Sequence, residues 1–151
     1  MKKGNMYFRI SVLAKCQLLY RDTIGAMIRH VCNRLEEQGE PETFGHQVIS
    51  AFNEAFNNLA GHGGDNVEEK NVLVTIAVTD LQLIIEMEDD ATGFHPPPPA
   101  PIPVNHDLRE SGMGLMIIRE FMDTMDYKKS TKNGVNSLRM VRNLKNVPQY
   151  V

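Results

Sequence analysis

The order of hydrophobic periodicities is the feature that most constrains how this chain can fold. Residues 6–13 are rich in β-branched and aromatic side chains, which is typical of a strand. Two stretches at helical spacing follow, one of about 20 residues that includes residues 24–35 and one that begins after Thr43. Two helices that precede the next strands suit a sheet with helices on one of its faces.

The rest of the chain alternates strand pairs with one more helix. One further stretch, residues 114–125, follows helical spacing. The turn signals are Thr79-Asp80 in the first strand pair and Asn133-Gly134 in the second. The order β-α-α-β-β-α-β-β predicts an α+β fold, a two-layer α/β sandwich with a mixed, mostly antiparallel sheet and helices on one face. The four strand-like runs are residues 72–78, 81–87, 127–131 and 135–141.

A segment of unusual composition, residues 92–111, separates the first strand pair from the third helix. It contains the run PPPPAPIP. A loop of about 20 residues without secondary structure is uncommon in a compact domain and is usually functional or disordered. The proline run is typical of a stiff extended segment, which would serve as a strut or a lid. We expect the 151 residues to form one domain, residues 1–151.

Charge and cysteine content argue against several classes of function. The formal net charge is -3, and no basic stripe with interleaved aromatic residues is present, so nucleic acid is not the expected partner. No apolar run approaches the ~18 residues of a membrane span, and the first residues lack the apolar run of a signal peptide. Cys16 and Cys32 are isolated in sequence that is predicted to be helical, which indicates reduced, buried residues of a cytoplasmic protein.

The second predicted helix carries an acid and an amide that are one turn apart. Glu54 and Asn58 are separated by four residues and so share one face. A carboxylate can act as a general base toward a hydroxyl group, and an amide oxygen is a suitable ligand for Mg²⁺. The alternative is a solvated helix face, because Asn53 and Asn57 have the same spacing.

Two later segments have the composition of ligand-binding loops. Asp89 ends a strand-like run and could accept a hydrogen bond from an exocyclic amine, while Gly93 would let the backbone approach a ligand. The alternative is an ordinary acidic turn. Gly112 and Gly114 open the third helix, whose N-terminal N–H groups suit a phosphate. The alternative there is a flexible start of the helix, with Ser111 as its N-cap.

Taken in this order, the three segments resemble the sequence boxes of the GHKL ATPase superfamily, whose nucleotide pocket is the Bergerat fold. AFNEAFNNLAGHG resembles the N box, with Glu54 and Asn58 at the family's acid and asparagine. MEDDATGFHP resembles the G1 box, where Asp89 and Gly93 match. GMGLMIIREFMD resembles the G2 box, so residues 92–111 correspond to the ATP lid. The closest resemblance is to the anti-sigma-factor serine/threonine protein kinases.

The resemblance implies a role for each of these residues. Asp89 would accept a hydrogen bond from the adenine amino group, with Gly93 close by. Asn58 would be the protein's ligand for Mg²⁺, and Glu54 would orient or deprotonate the attacking hydroxyl group. ATP and Mg²⁺ are therefore the implied cofactors. The phosphates would bind along the G2 box, at Gly112, Met113, Gly114 and Leu115.

The resemblance also implies a regulatory function. An anti-sigma factor of this kind binds a sigma factor, releases it to an antagonist protein, and phosphorylates that antagonist on serine with Mg-ATP. A homodimer that involves the first strand and helix is implied as well.

Three positions depart from the family pattern. Ala91 replaces the first glycine of the G1 box, and Ser111 replaces an arginine. Gly134-Val135-Asn136 stands where the family has Gly-Thr near the adenine. These departures favour an alternative function, a non-catalytic module that sequesters a protein partner.

Overall fold

The computed structural model describes residues 4–91, 110–129 and 134–148, with the backbone alone for residues 110–113. Within these residues the chain forms five strands and three α-helices, in the order that the sequence predicts. A single 3₁₀ turn, Val67–Glu69, precedes the second strand. The elements are β1 (Met6–Lys15), α1 (Leu18–Glu37), α2 (Phe44–His62), β2 (Asn71–Thr79), β3 (Gln82–Asp89), α3 (Glu110–Phe121), β4 (Thr124–Lys128) and β5 (Asn136–Asn143).

The five strands form one sheet in the order β1-β2-β3-β5-β4. Each of the four strand pairs that the structure describes is antiparallel, so the predicted α+β sandwich is confirmed with a sheet more uniform than expected. The register aligns Val72 with Asp89 across β2 and β3, and Asp89 with Asn136 across β3 and β5. This alignment brings the last residue of β3 beside the first residue of β5.

The core lies between the sheet and the helices. β2 and β3 are central strands of the sheet and are buried over consecutive residues, from Val74 to Thr79 in β2 and from Leu83 to Ile85 in β3. Three phenylalanines of α2 have no exposed surface, and the rings of Phe52 and Phe56 have centroids 5.9 Å apart. Burying each such ring stabilises the fold by roughly 1.5–3 kcal/mol. The third of these rings is Phe44, at the start of the helix.

Both ends of α3 differ from the sequence prediction. The helix begins at Glu110, so Ser111 lies in its first turn and is not the N-cap. It ends at Phe121, and Met125 lies in β4 rather than in the helix. The physical reason is that Met125 pairs with Met140 of β5, and strand pairing overrides the helical spacing of this short apolar run.

Two other sequence predictions need correction or lie outside the structure. Cys16 follows β1 directly and is not helical, although it is buried, as is Cys32 in α1. Burial raises the pKa of both thiols to about 12, so neither is a reactive thiolate at neutral pH. The proposed lid, residues 92–111, and the turn at Asn133 lie largely or wholly outside the described residues. None of the helices in the described ranges has the length and apolarity that a membrane crossing requires.

A buried carboxylate fastens the end of the chain to the connection between α1 and α2. Glu40 is 6% exposed, and its carboxylate accepts hydrogen bonds from the backbone N–H groups of Lys145 and Asn146 at 2.9–3.1 Å. The Asn146 side chain donates a further bond to it at 3.3 Å. These bonds satisfy a buried charge and fix the segment that follows β5 at the edge of the core.

Candidate functional site

A cleft opens between α2, α3 and the helix-covered face of β3, β4 and β5. Its cavity volume is about 30 Å³, and it opens to solvent. Polar groups enter it from Asn58 on α2, Asp89 at the end of β3 and Tyr127 on β4. An apolar cleft with a few convergent polar groups is the usual form of a small-molecule site. The apolar lining includes Met87, Leu115, Ile118 and Leu138.

The Asp89 carboxylate is held by two donors on one of its oxygens. Oδ1 accepts a hydrogen bond from the backbone N–H of Ala91 at 3.0 Å and another from Nδ2 of Asn136 at 3.0 Å. No partner for Oδ2 is found among the described residues. One oxygen is therefore committed to the protein, and the other can accept from a ligand.

The surroundings of Asp89 disfavour its charge. Burial raises the pKa of Asp89 above its ordinary value, and the neighbouring charge of Asp90 raises it further. The bonds from Asn136 and Ala91 lower the pKa, but less than burial raises it. A ligand that donates a hydrogen bond to this carboxylate would replace solvation lost on burial. The same site raises the pKa of Tyr127, through burial and then through the Asp89 charge.

Glu54 and Asn58 meet the start of α3. A Cβ atom built on Gly114 would lie 2.8 Å from Glu54 Oε2, and 3.4 Å and 3.5 Å from the amide atoms of Asn58. Only a glycine leaves this space free. The acid and the amide of α2 therefore lie together against Gly114 of α3, and of these three residues Asn58 lines the cleft.

The burial of Glu54 and Asn58 argues against the alternative that they lie on a solvated helix face. Asn58 is only 7% exposed and Glu54 is half-buried. No hydrogen bond or ion pair to either side chain is found in the described part of the chain. The pair Asn53 and Asn57 faces a different neighbour, since Asn57 accepts a hydrogen bond from Arg21 of α1 at 2.7 Å. The two pairs have the same spacing on α2, but their side chains have different neighbours.

The Ala91 departure from the G1 pattern costs no backbone strain. Among the described residues, Asn66 is the one non-glycine with a positive φ, so Ala91 avoids the region that would require glycine. Its methyl group is buried, 3.2 Å from the place where a Gly63 Cβ would be. A side chain on Gly63 would also meet Val67 and, at 2.6 Å, the carbonyl of Leu59. The turn after α2 therefore packs tightly on the end of β3.

The structure describes some of the remaining predicted site residues and not others. Gly112 and Met113 lie in the first turn of α3, where their backbone is helical, and Leu115 lines the cleft. Gly93 lies outside the described residues. Sequence reasoning noted Gly134-Val135-Asn136 only as a departure from the family pattern near the adenine. It did not predict that the Asn136 amide donates a hydrogen bond to Asp89.

Comparison with known proteins shows the family of the chain. Residues 21–142 match the family described as the histidine kinase-like ATPase domain. The chain belongs to this family. The match spans α2, β3, α3 and most of β5, and so includes every described residue of the cleft. Nucleotide binding is therefore the family-level expectation for the cleft of this ATPase-family domain.

Curated relatives with a common name extend over most of the chain. The anti-sigma F factor of Bacillus licheniformis is 27% identical over 135 residues, which cover 87% of this chain and 88% of the relative. The anti-sigma F factor of Bacillus subtilis (strain 168) is 26% identical over 145 residues and 94% of each chain. That of Clostridium novyi (strain NT) is 30% identical over 103 residues, 66% of this chain and 71% of the relative.

Two helical glycines provide a test of the contact between α2 and α3. A Cβ atom on Gly61 of α2 would meet no other atom within 4 Å, so Gly61→Ala should raise the free energy of unfolding by roughly 0.5–1 kcal/mol. Gly114→Ala should gain less, or lose stability, because its Cβ would displace the Glu54 carboxylate. Urea denaturation of the two variants measures the difference. Equal gains would show that Glu54 does not approach α3.

The electrostatics of Asp89 predict an unusual pH dependence. Burial raises the pKa of Asp89 in the folded protein above its ordinary value in the unfolded chain. The free energy of unfolding should therefore fall as the pH rises from the ordinary aspartate pKa through the raised pKa of the folded state. An Asp89→Asn variant carries no charge and keeps an oxygen to accept from Ala91 and Asn136. We expect this variant to be at least as stable as the wild type at about pH 7. The difference in stability between the two proteins should disappear at about pH 4, where Asp89 of the wild type is protonated.

Thermal melting of wild type and Asp89→Asn across this pH range measures the effect. A variant that is less stable near neutral pH would contradict the account. So would an advantage that grows on acidification.

Proposed function

We propose that this chain is an ATP-binding anti-sigma factor that phosphorylates an antagonist protein on serine. The observation that carries the proposal is the placement of two unlike polar groups in and beside one cleft. Asp89 lies at the strand end, and Glu54 and Asn58 lie against the first turns of α3. The names of the relatives, anti-sigma F factors, support the regulatory part of the proposal.

The strand end of the cleft suits an adenine ring. Met87, Leu138 and Ile118 supply apolar surface for the two faces and edges of a planar base. Asp89 Oδ2 supplies an acceptor for the exocyclic amine. A base with a carbonyl oxygen at that position would leave two acceptors facing each other, so the cleft favours adenine over guanine.

The helix end of the cleft suits phosphates. The first four N–H groups of a helix have no partner inside it, and the N-terminus carries a partial positive charge. In α3 these groups belong to the turn that contains Gly112 and Met113, and Gly114 and Leu115 follow directly. Its backbone therefore provides donors for anionic oxygens where Gly114 leaves the space open.

The donor set beside α3 fits a hydrated magnesium ion. Mg²⁺ keeps several waters and takes one or two protein oxygens, and the Asn58 amide is nearly buried with no protein partner in the described part of the chain. In this proposal Asn58 holds the ion, which neutralises charge on the phosphates when it is bound. In the described ranges, no cluster of three acidic, histidine or cysteine side chains offers a separate metal site.

Glu54 is the proposed general base. Its carboxylate lies on the α2 face beside Asn58 and within contact distance of the α3 glycine. It would orient the serine hydroxyl of the antagonist and take up its proton as the bond from serine oxygen to the γ-phosphorus forms and the bond to ADP breaks. Phosphoryl transfer asks the protein mainly for such positioning and for neutralisation of charge.

The opposite edge of the sheet provides the proposed partner surface. β1 is an edge strand, and several large apolar side chains on it and on the start of α1 are exposed. Such a surface supports a homodimer and contact with a sigma factor at a distance from the cleft. The exposed residues are Met6, Phe8, Leu13, Leu18, Leu19 and Tyr20.

The proposal predicts that Glu54→Gln retains nucleotide binding but loses phosphate transfer to the antagonist. The variant keeps the size of the side chain but removes the base, so ADP affinity should change by less than about threefold. The rate of antagonist phosphorylation should fall by about 10²-fold or more. Transfer of labelled phosphate from ATP to the purified antagonist measures the rate, and Glu42→Gln, at an exposed position before α2, is the matched control.

Two outcomes would contradict parts of this proposal. Transfer at the wild-type rate by Glu54→Gln would make the assignment of the base wrong. A wild-type protein that binds its antagonist but transfers no phosphate would make the kinase assignment wrong, and would favour a module that only sequesters a partner.

A further inference from the structure

A buried asparagine of β5 lies directly beside Asp89 on the neighbouring strand. Asn136 is 5% exposed and is the register partner of Asp89 in the pairing of β3 with β5. It points to the covered face of the sheet, as do Leu138 and Met140 farther along the strand. A polar side chain at such a position is costly unless every polar atom has a partner.

The Asn136 amide donates both of its N–H bonds. Nδ2 lies 3.0 Å from Asp89 Oδ1 and 2.7 Å from the backbone carbonyl oxygen of Ala91. Both neighbours are acceptors, so the NH₂ group, and not the amide oxygen, must face them. The orientation of the side chain is therefore fixed by its partners.

These bonds close a small network around the carboxylate. Asp89 Oδ1 receives one bond from Asn136 and another from the N–H of Ala91, while the carbonyl of Ala91 receives the second bond from Asn136. Rotation of the carboxylate would break two charge-assisted bonds at once. Oδ2 is consequently the oxygen that stays available to a ligand.

Asn136 acts through Asp89 and not by contact with a ligand. The described lining of the cleft includes Asp89 and Leu138 but not Asn136, which is 5% exposed. We propose that Asn136 is a positioning residue that holds Asp89 for recognition of an exocyclic amine, and so sets the selection of the cleft for a 6-aminopurine. This inference rests on the proposed nucleotide function of the cleft.

The chemistry of the Asn136 amide explains why few other side chains could make both of its hydrogen bonds. A threonine or serine hydroxyl has one hydrogen and could satisfy Asp89 or Ala91 but not both. A leucine has similar volume and no donor, so it would leave Oδ1 with one bond fewer and the Ala91 carbonyl unpaired. An aspartate would place a second carboxylate against Asp89.

The test compares two ligands that differ by one amine. Calorimetric titration with ADP and with purine riboside 5′-diphosphate, both with Mg²⁺, gives a ratio of affinities. The ratio measures what the 6-amino group contributes, and a change that merely loosens the fold would weaken both ligands alike. For the wild type we expect ADP to bind on the order of 10–100-fold more tightly, the range for a hydrogen bond to a charged group.

The variants should change this ratio in a graded way. Asn136→Leu should reduce the preference for ADP by about tenfold, and Asn136→Thr should lie between Leu and wild type. Asn143→Leu is the matched control, because Asn143 is an exposed asparagine at the other end of β5 and should leave the ratio unchanged. If Asn136→Leu fails to fold, the threonine variant alone decides.

The outcomes distinguish this inference from the function on which it rests. If the wild type binds neither ligand, the proposed function is wrong and the inference is lost with it. If Asp89→Asn loses the preference for ADP while Asn136→Leu and Asn136→Thr keep it, Asp89 recognises the amine unaided and the inference alone is overturned.

Discussion

The burial of the apolar face of α2 on the sheet is the interaction on which the site depends. Phe52 and Phe56 are fully buried, and their positions fix the rotation of the helix about its axis. Since residues on a helix advance by about 100° each, this rotation also fixes where Glu54 and Asn58 point. A helix packed by weaker contacts would leave the acid and the amide without a defined direction, and α3 could not meet them at Gly114.

In the proposed function, the cleft would use two different physical means to recognise a nucleotide. At the strand end, burial lowers the solvation of Asp89, so that its carboxylate would favour a ligand that donates a hydrogen bond. At the helix end, backbone N–H groups of α3 provide positive potential without any described basic side chain in the cleft lining. The register of β3 with β5 places Asn136 beside Asp89 at the strand end.

Much of the fold could be predicted because its signals are local. The apolar spacing of α1 and α2 and the apolar, β-branched runs of β2 and β3 indicate these elements without knowledge of their neighbours. The position of Met125 could not be predicted, since it depends on pairing with Met140 in β5. The network of Asn136 was hidden for the same reason. Its partner Asp89 is 47 residues away, and only the strand register brings the two together.

Amide hydrogen exchange with and without ADP and Mg²⁺ tests most directly whether this cleft is the nucleotide site. The account predicts slower exchange in the second half of α2, at the end of β3 and in α3, with β1 and the start of α1 unchanged. Unchanged exchange throughout, or protection confined to β1 and α1, would contradict the assignment of the cleft.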